Sequence, residues 1–313
     1  MRGYFVKRAL MMVPTLFFVS FLIFSAMRMV PGDTVELMVA ESGYAEDEAE
    51  LREILGLDKP LLSQYAIYMS GVVTGDFGTS LWSGAPVIEE ISRRLPVSLM
   101  LAGLALMWTI LLGVSWGILS SLMQDTWADY LIRSTGIAGL AVPGFWIATL
   151  VLVFGAIWFS WVPPMDYIPF TEDPIGNLSQ LLVPSLVLSL ALSASVMRMT
   201  RTMMLEVLTE DYIRTARAKG LAERVVIMRH ALKNAMIPVL TIMGLQLAFL
   251  AGGTIIMEQI FVLPGMGKYL FEAISWRDYP VIQGVGLFIS LFLMSVNLAV
   301  DLLYGVLDPK IQY

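Results

Sequence analysis

The residues with the most chemical content lie in one stretch, Arg198 to Lys233. It carries eight Lys and Arg against Glu206, Glu210, Asp211 and Glu223, a local charge of +4 on a chain of formal net charge −6. Basic side chains of this kind pair with partner carboxylates and fix the register of a docked surface. Leu205, Leu208 and Tyr212 fall on one helical face. A Thr215-Ala216-Arg217-Ala218-Lys219-Gly220 run follows, in which small side chains admit a partner close to the backbone and the glycine ends the helix. A second short amphipathic helix is expected over Arg224 to Ala231. Two helices with a tight glycine turn between them make a docking knob; the competing reading is a solvated, positively charged loop.

Other chemistry is largely excluded by residue type. The chain has one His and no Cys, so disulfides, zinc clusters, thiolate nucleophiles and Cys-x-x-Cys redox sites are ruled out. His230, in the basic stretch, reads as a satisfied polar contact. An intramembrane enzyme would need a His-Glu-x-x-His pair, a Ser/His dyad or twin Asp within apolar runs, and the sequence has none of these. The net charge of −6 with 20 Lys+Arg argues against nucleic acid as a partner.

The elements that must hold such a knob are membrane spans. Hydrophobic residues make up 57% and charged residues 15% of the 313 positions, against roughly 45–50% and about 25% in soluble domains, and the mean hydropathy is +0.74. Six stretches lack Asp, Glu, Lys and Arg: Ala9–Met27, Leu95–Gln124, Ser134–Met165, Pro174–Met197, Asn234–Met257 and Tyr279–Val300. The shortest, 19 residues, spans roughly 28 Å as a helix, close to the hydrocarbon thickness. It follows Arg2, Lys7 and Arg8 and reads as a retained anchor rather than a cleaved signal. With the N-terminus inside, 13 basic residues face the cytoplasm and 7 the exterior, which places both termini and the Arg198–Lys233 loop inside. The expected fold is an all-α polytopic membrane protein with six transmembrane helices. Its organisation is 1–30 as tail and first span, 31–96 as an extracytoplasmic region, and 97–313 as a five-helix core carrying the 198–233 loop.

The 31–96 region holds 12 acidic and 4 basic residues, with helices expected over Tyr44–Leu57 and Leu61–Val73 and loop marked by Gly71, Gly75 and Gly78. A further helix is expected over Lys268–Ser275. Within the spans, Gly136, Gly139, Pro143, Gly144, Gly244, Gly252 and Gly253 permit bending or close helix packing. Gln246, Asn297 and the serines at 189, 193 and 195 read as interhelical hydrogen-bonding groups with a pathway-lining role as the alternative. Asp301 and Arg28 read as interfacial, Arg28 by snorkelling.

Beyond these patterns, the run Asp211-Tyr212-Ile213-Arg214-Thr215-Ala216-Arg217-Ala218-Lys219-Gly220-Leu221, with Arg229-His230-Ala231-Leu232-Lys233-Asn234-Ala235 and Ile237-Pro238-Val239, resembles the coupling loop of ABC-importer permeases. Within them it is similar to the first permease subunit of the dipeptide/oligopeptide/nickel group. Val30-Pro31-Gly32-Asp33, Leu55-Gly56-Leu57-Asp58-Lys59-Pro60 with Gln64-Tyr65, and Gly75-Asp76-Phe77-Gly78 extend the match. So do Pro264-Gly265-Met266-Gly267, Arg277-Asp278-Tyr279-Pro280-Val281-Ile282-Gln283, Asp301-Leu302-Leu303-Tyr304 and Leu307-Asp308-Pro309. The superfamily's Glu-Ala-Ala, three residues, Gly signature would put Glu and Ala where Arg214 and Thr215 stand, a departure that this subgroup shares.

The resemblance implies the type I ABC importer transmembrane fold in a bacterial or archaeal plasma (inner) membrane. The implied partners are a second homologous permease, two cytoplasmic ATPases, an extracytoplasmic binding protein and the bilayer. Asp211, Tyr212, Arg214, Ala216, Arg217, Ala218, Lys219, Gly220 and Leu221 would then couple to the ATPases. The chain itself would be no enzyme and hold no cofactor, ATP and Mg belonging to the partners; Gly265-Met266-Gly267-Lys268-Tyr269 lacks the Ser/Thr and earlier Gly of a phosphate loop. The implied cargo is di- or oligopeptides, with nickel chelates, glutathione, opines and sugars as alternatives. An ion-driven secondary transporter would show repeats or mid-membrane ionisable groups, and a structural or channel subunit would have no use for a coupling loop.

Overall fold

A computed structural model describes residues 2–42, 48–164 and 166–307, and the elements among them are helical. They are α1 (Arg2–Met29), α2 (Thr34–Ser42), α3 (Glu48–Ile54), α4 (Leu61–Thr74), α5 (Val87–Leu122), α6 (Trp127–Ala141), α7 (Gly144–Phe159) and α8 (Pro174–Leu208). Then come α9 (Asp211–Ala218), the single turn α10 (Glu223–Val225), a π-helical turn at Val226–Ala231, α11 (Leu232–Ile260), α12 (Met266–Ser275) and α13 (Tyr279–Leu307). An isolated antiparallel bridge joins Thr79 and Pro86.

Five stretches are continuous helix long and apolar enough to span: Val6–Met29, Val87–Leu122, Pro174–Leu208, Glu223–Leu247 and Tyr279–Val300. The sixth expected span is a broken pair, α6 and α7, bent by 98°. Pro143 explains the break. It has no N–H to continue the helix and pushes Val142 into extended backbone (φ −93°, ψ 124°). The helices overrun the charge-free stretches, most of all α8, which continues past Met197 to Leu208.

Among the described residues, the 31–96 region holds α2, α3 and α4 and the first turns of α5. The helix expected over Leu61–Val73 is present as α4, and part of the one expected over Tyr44–Leu57 is present as α3, Glu48–Ile54, while residues 43–47 lie outside the described residues. Gly71 falls inside α4, and the loop begins at Gly75. α2 was not among the expected helices. Its signal is Asp33-x-x-Glu36, where Asp33 Oδ1 accepts from the Glu36 amide at 2.9 Å and caps the first turn. Asp308, Pro309, Lys310 and the Asp301 side chain lie outside what is described.

The chain divides into two compact units, residues 1–97 with 264–298, and residues 98–263 with 299–313. In unit 1, Val87 and Ile91 pack with Met266, Tyr269 and Ala273 of α12 and with Val281 and Val285 of α13. α4 lies against α1: Tyr65 meets the rings of Phe17, Phe21 and Phe24 edge-on and shares a 2.8 Å hydrogen bond with Ser20. In unit 2, α8 is the central helix, packed by α6, α7 and α11. α5 approaches it through Gly113 and Gly117, one small-xxx-small pair; a Cβ on either would come within 2.7 Å of Val196 or 2.5 Å of Thr200.

The polar residues within spans are used differently from the expectation. Ser189 and Ser193 donate back to Leu186 and Leu190 carbonyls of their own helix, both at 2.8 Å. Such back-bonding satisfies a hydroxyl without a neighbouring helix. Gln246 does bond between helices, its Nε2 donating to the Leu192 carbonyl at 3.2 Å. Asn297 is exposed. Gly136, Gly139 and Gly253 abut Met197, Leu190 and Leu188 of α8, whereas Gly252 faces open space.

Candidate docking surface of the 198–233 loop

Leu205 and Leu208 end α8, and the chain then breaks at Thr209–Glu210, so Tyr212 belongs to a new helix. This corrects the expectation of one continuous face. The inward face of α9 is instead Ile213 (0% exposed) and Ala216 (6%). They close a small core with Met204 of α8, Val226 and Ala231 of the π turn, and Ala235 of α11. A buried isoleucine of this kind contributes about 1.5–3 kcal/mol. The second short helix expected over Arg224–Ala231 is also corrected: it is α10 running directly through the π turn into α11. A push on α9 therefore reaches α8 and α11 through side chains in direct contact.

Around this core the outer surface is set by a few polar links. Arg217 donates to both Glu223 carboxylate oxygens, at 3.2 and 2.7 Å, across the turn. Gly220 sits inside the turn at φ +75°, the left-handed region that disfavours a side chain, with no atom near where a Cβ would stand. The Asn234 amide donates to the Tyr212 hydroxyl at 2.7 Å, tying α9 to the start of α11. Arg214 pairs with Asp211 at 3.0 Å.

Of the nine residues singled out in the sequence, Ala216 is buried and faces the body. Asp211, Tyr212, Arg214, Arg217, Ala218, Lys219, Gly220 and Leu221 are exposed. The structure adds two exposed apolar side chains with no place in that set, Val225 and Met228, and the basic Arg224 and Arg229 next to them in the chain. An apolar centre with a charged rim is the anatomy of a protein interface. Among the described residues no group of three or more His, Asp or Glu is placed to hold a metal ion.

Beneath the loop lies an ion-pair cluster that sequence reading missed. Asp129, 0% exposed, accepts from Arg201 Nε at 2.9 Å and Nη2 at 2.7 Å, from the Ser120 hydroxyl, and from the Asp125 amide at 3.2 Å. It binds the Arg201 turn of α8, within the 198–233 stretch, to α6 and to the end of α5. Asp129 and Arg201 are 72 positions apart, and nothing in their local patterns marks them as partners.

Comparison with known proteins gives a consistent match. Residues 1–102 match the N-terminal family of binding-protein-dependent transport system membrane components, and residues 109–313 the binding-protein-dependent transport system inner membrane component family. The glutathione transport system permease protein GsiC of Escherichia coli (strain K12) is 39% identical over 313 residues, 100% of each chain. A Brucella abortus (strain 2308) chain named for a peptide transport system permease is 38% identical over the same 313 residues, again 100% of each. Among solved structures, the MetNI methionine ABC transporter in inward-facing conformations has a chain with TM-score 0.56 at 14% identity, covering 71% of this chain and 97% of that one. An amino acid ABC transporter with histidines gives TM-score 0.53 at 13% identity, with 70% and 94% covered. The all-helical spans, the projecting loop and these matches together place the chain in the binding-protein-dependent transport system inner membrane component family, as a multi-pass permease subunit of an ABC importer with the type I fold.

Proposed function

We propose that this permease forms half of a translocation pathway for short peptides and that residues 211–221 receive an ATPase subunit on the cytoplasmic side. The observation that carries the reading is the construction of the loop. Its exposed face is apolar and basic, while its buried face, Ile213 and Ala216, is packed onto the ends of two spans at once. ATP binding in two partner ATPases would draw them together and displace α9. α8 and α11 would follow as one body, and the spans would rock between inward- and outward-open arrangements. ATP and Mg belong to those partners. The excess of basic residues on the loop side supports cytoplasmic termini, and the 31–96 region with residues 258–280 would then face the binding protein.

Short peptides are the cargo class that the names of the relatives favour, since glutathione is itself a peptide. Ligand identification on the cognate binding protein tests that part.

The native chain has no cysteine, so single replacements report cleanly on the surface. Ala218→Cys and Leu221→Cys are expected to react with a membrane-impermeant maleimide in inside-out vesicles only, and to cross-link to an ATPase subunit in the assembled importer. Labelling in right-side-out vesicles, or cross-linking to the binding protein instead, would contradict the assignment.

A further inference from the structure

Unit 1 contains an open cavity of about 380 Å³, a size within the roughly 300–1,000 Å³ of small-molecule sites. The end of α1, the turn after α3, one side of α4 and the first turns of α13 line it, bringing Arg28, Glu53, Lys59, Tyr68, Asp76 and Gln283 to one space.

Two of these residues hold unused donors. Arg28 donates from Nε and Nη2 to the Gln64 side-chain oxygen, at 3.0 and 2.9 Å, and from Nη1 to the Phe24 carbonyl at 3.2 Å. All of these acceptors are neutral. Among the described residues no carboxylate pairs with the guanidinium, which lies 3.6 Å from the Phe24 ring centre and 5.1 Å from that of Tyr279. A guanidinium has five N–H groups, so donors remain. Gln283 is 4% exposed, and its amide nitrogen has no acceptor. Its backbone carbonyl is taken by the Tyr68 hydroxyl at 3.2 Å, which fixes the α13 turn carrying it to α4. A buried donor without an acceptor, next to a partly buried cation without a counter-charge, favours an anion.

The same cavity also offers the opposite charge. Glu53 and Asp76 border it, both exposed. Asp76 gives one oxygen to the Gly78 amide at 2.8 Å and keeps the other for a cation. Donors for an anion and acceptors for a cation within one small cavity match a molecule carrying both charges.

We propose that this cavity binds a small zwitterion of amino-acid to dipeptide size, its carboxylate held by Arg28 and the Gln283 amide and its ammonium by Asp76 and Glu53. The site shares no residue with the 211–221 surface, and its existence does not depend on the cargo assigned above.

The test is calorimetric titration of the assembled importer, without its binding protein, in nanodiscs of phosphatidylcholine alone. The probes are alanyl-alanine, its N-acetyl derivative and its C-terminal amide. The free dipeptide should bind saturably, and each blocked form about tenfold more weakly, as expected for loss of one charge-assisted contact. Arg28→Gln should weaken binding about tenfold and Arg28→Lys less, because Lys keeps the charge but not the fork. Asp76→Asn lies on an exposed residue and keeps the Gly78 contact, so it reads out the ammonium contact even if Arg28→Gln fails to assemble; a loss of about threefold or more is expected. Equal binding of free and blocked peptides, no saturable binding, or unchanged affinity in both Asp76→Asn and Gln283→Leu overturns the proposal. Phosphatidylethanolamine carries the same pair of charges on a lipid headgroup. Dipeptide affinity that survives its addition supports a site for a free zwitterion, and complete competition by it assigns the cavity to lipid and overturns the proposal.

Discussion

Residues 209–222 of the loop and the 76–86 segment of unit 1 both lie between long helices, yet they are held in different ways. The loop is fastened by apolar packing, with Ile213, Ala216, Val226 and Ala231 closed over Met204. The 76–86 segment is fastened by directional bonds. Asp278 takes the Ser80 hydroxyl at 2.6 Å and the Leu81 amide at 3.2 Å, and the Trp82 indole donates to the Trp276 carbonyl at 2.9 Å. Apolar packing has no preferred direction and moves as a solid piece, which suits the proposed role of the loop in transmitting displacement. Directional bonds fix one arrangement and can be broken singly, by substitution or by protonation.

Breaking the footing of the loop should have the largest effect. Asp129→Asn leaves the Arg201 guanidinium without its buried partner and is expected to destabilise unit 2 by about 3–5 kcal/mol, read as a fall in the thermal unfolding midpoint of the purified assembly. Ile213→Ala comes next. It empties the centre of the loop core, at about 2–4 kcal/mol, and should loosen the loop before the spans, so that protease nicking near residue 213 rises while the spans stay protected.

The directional contacts of the 76–86 segment predict a pH dependence. Burial pushes the Asp278 carboxyl above its ordinary value, against the pull of the Ser80 hydroxyl and the backbone amides of Leu81, Val281 and Trp82. The folded chain therefore holds the proton more tightly than the unfolded chain. The contribution to stability is full below the ordinary Asp value of about 4 and is lost as pH rises through the folded value. Asp278→Asn should flatten that slope in unfolding measured across mildly acidic to neutral pH, and Ser80→Ala should carry the loss to higher pH. The same substitutions should leave the 198–233 loop unchanged.

The smallest effect belongs to the exposed pair of the loop. Glu223→Gln removes the Arg217 bridge in full solvent and should not shift unfolding resolvably. It should raise hydrogen exchange in the 218–222 turn, and the rise should be reproduced in the wild type by high salt.

Much of this architecture is legible from single positions. Charge-free runs locate the spans because a charge at mid-membrane is expensive; Pro143 marks the broken one, and Gly220 marks the turn of the loop. The inner face of α9 is not legible from spacing, because Leu205, Leu208 and Tyr212 fit a helical face as well as Ile213 and Ala216 do. The break at Thr209–Glu210 decides between them, and neither residue is a strong helix breaker. Asp129 with Arg201, Gly113 and Gly117 against α8, and Gln283 beside Arg28 depend on which helices meet, which no local pattern contains.

The central claim is that α9 and its glycine turn carry work from ATP hydrolysis into the spans. It is tested most directly by uptake per ATP hydrolysed in proteoliposomes holding the complete importer with Gly220→Pro, since proline cannot take the φ of +75° found there. The account predicts normal membrane insertion and continued ATP hydrolysis with uptake lost. Uptake per ATP equal to the wild type would contradict it.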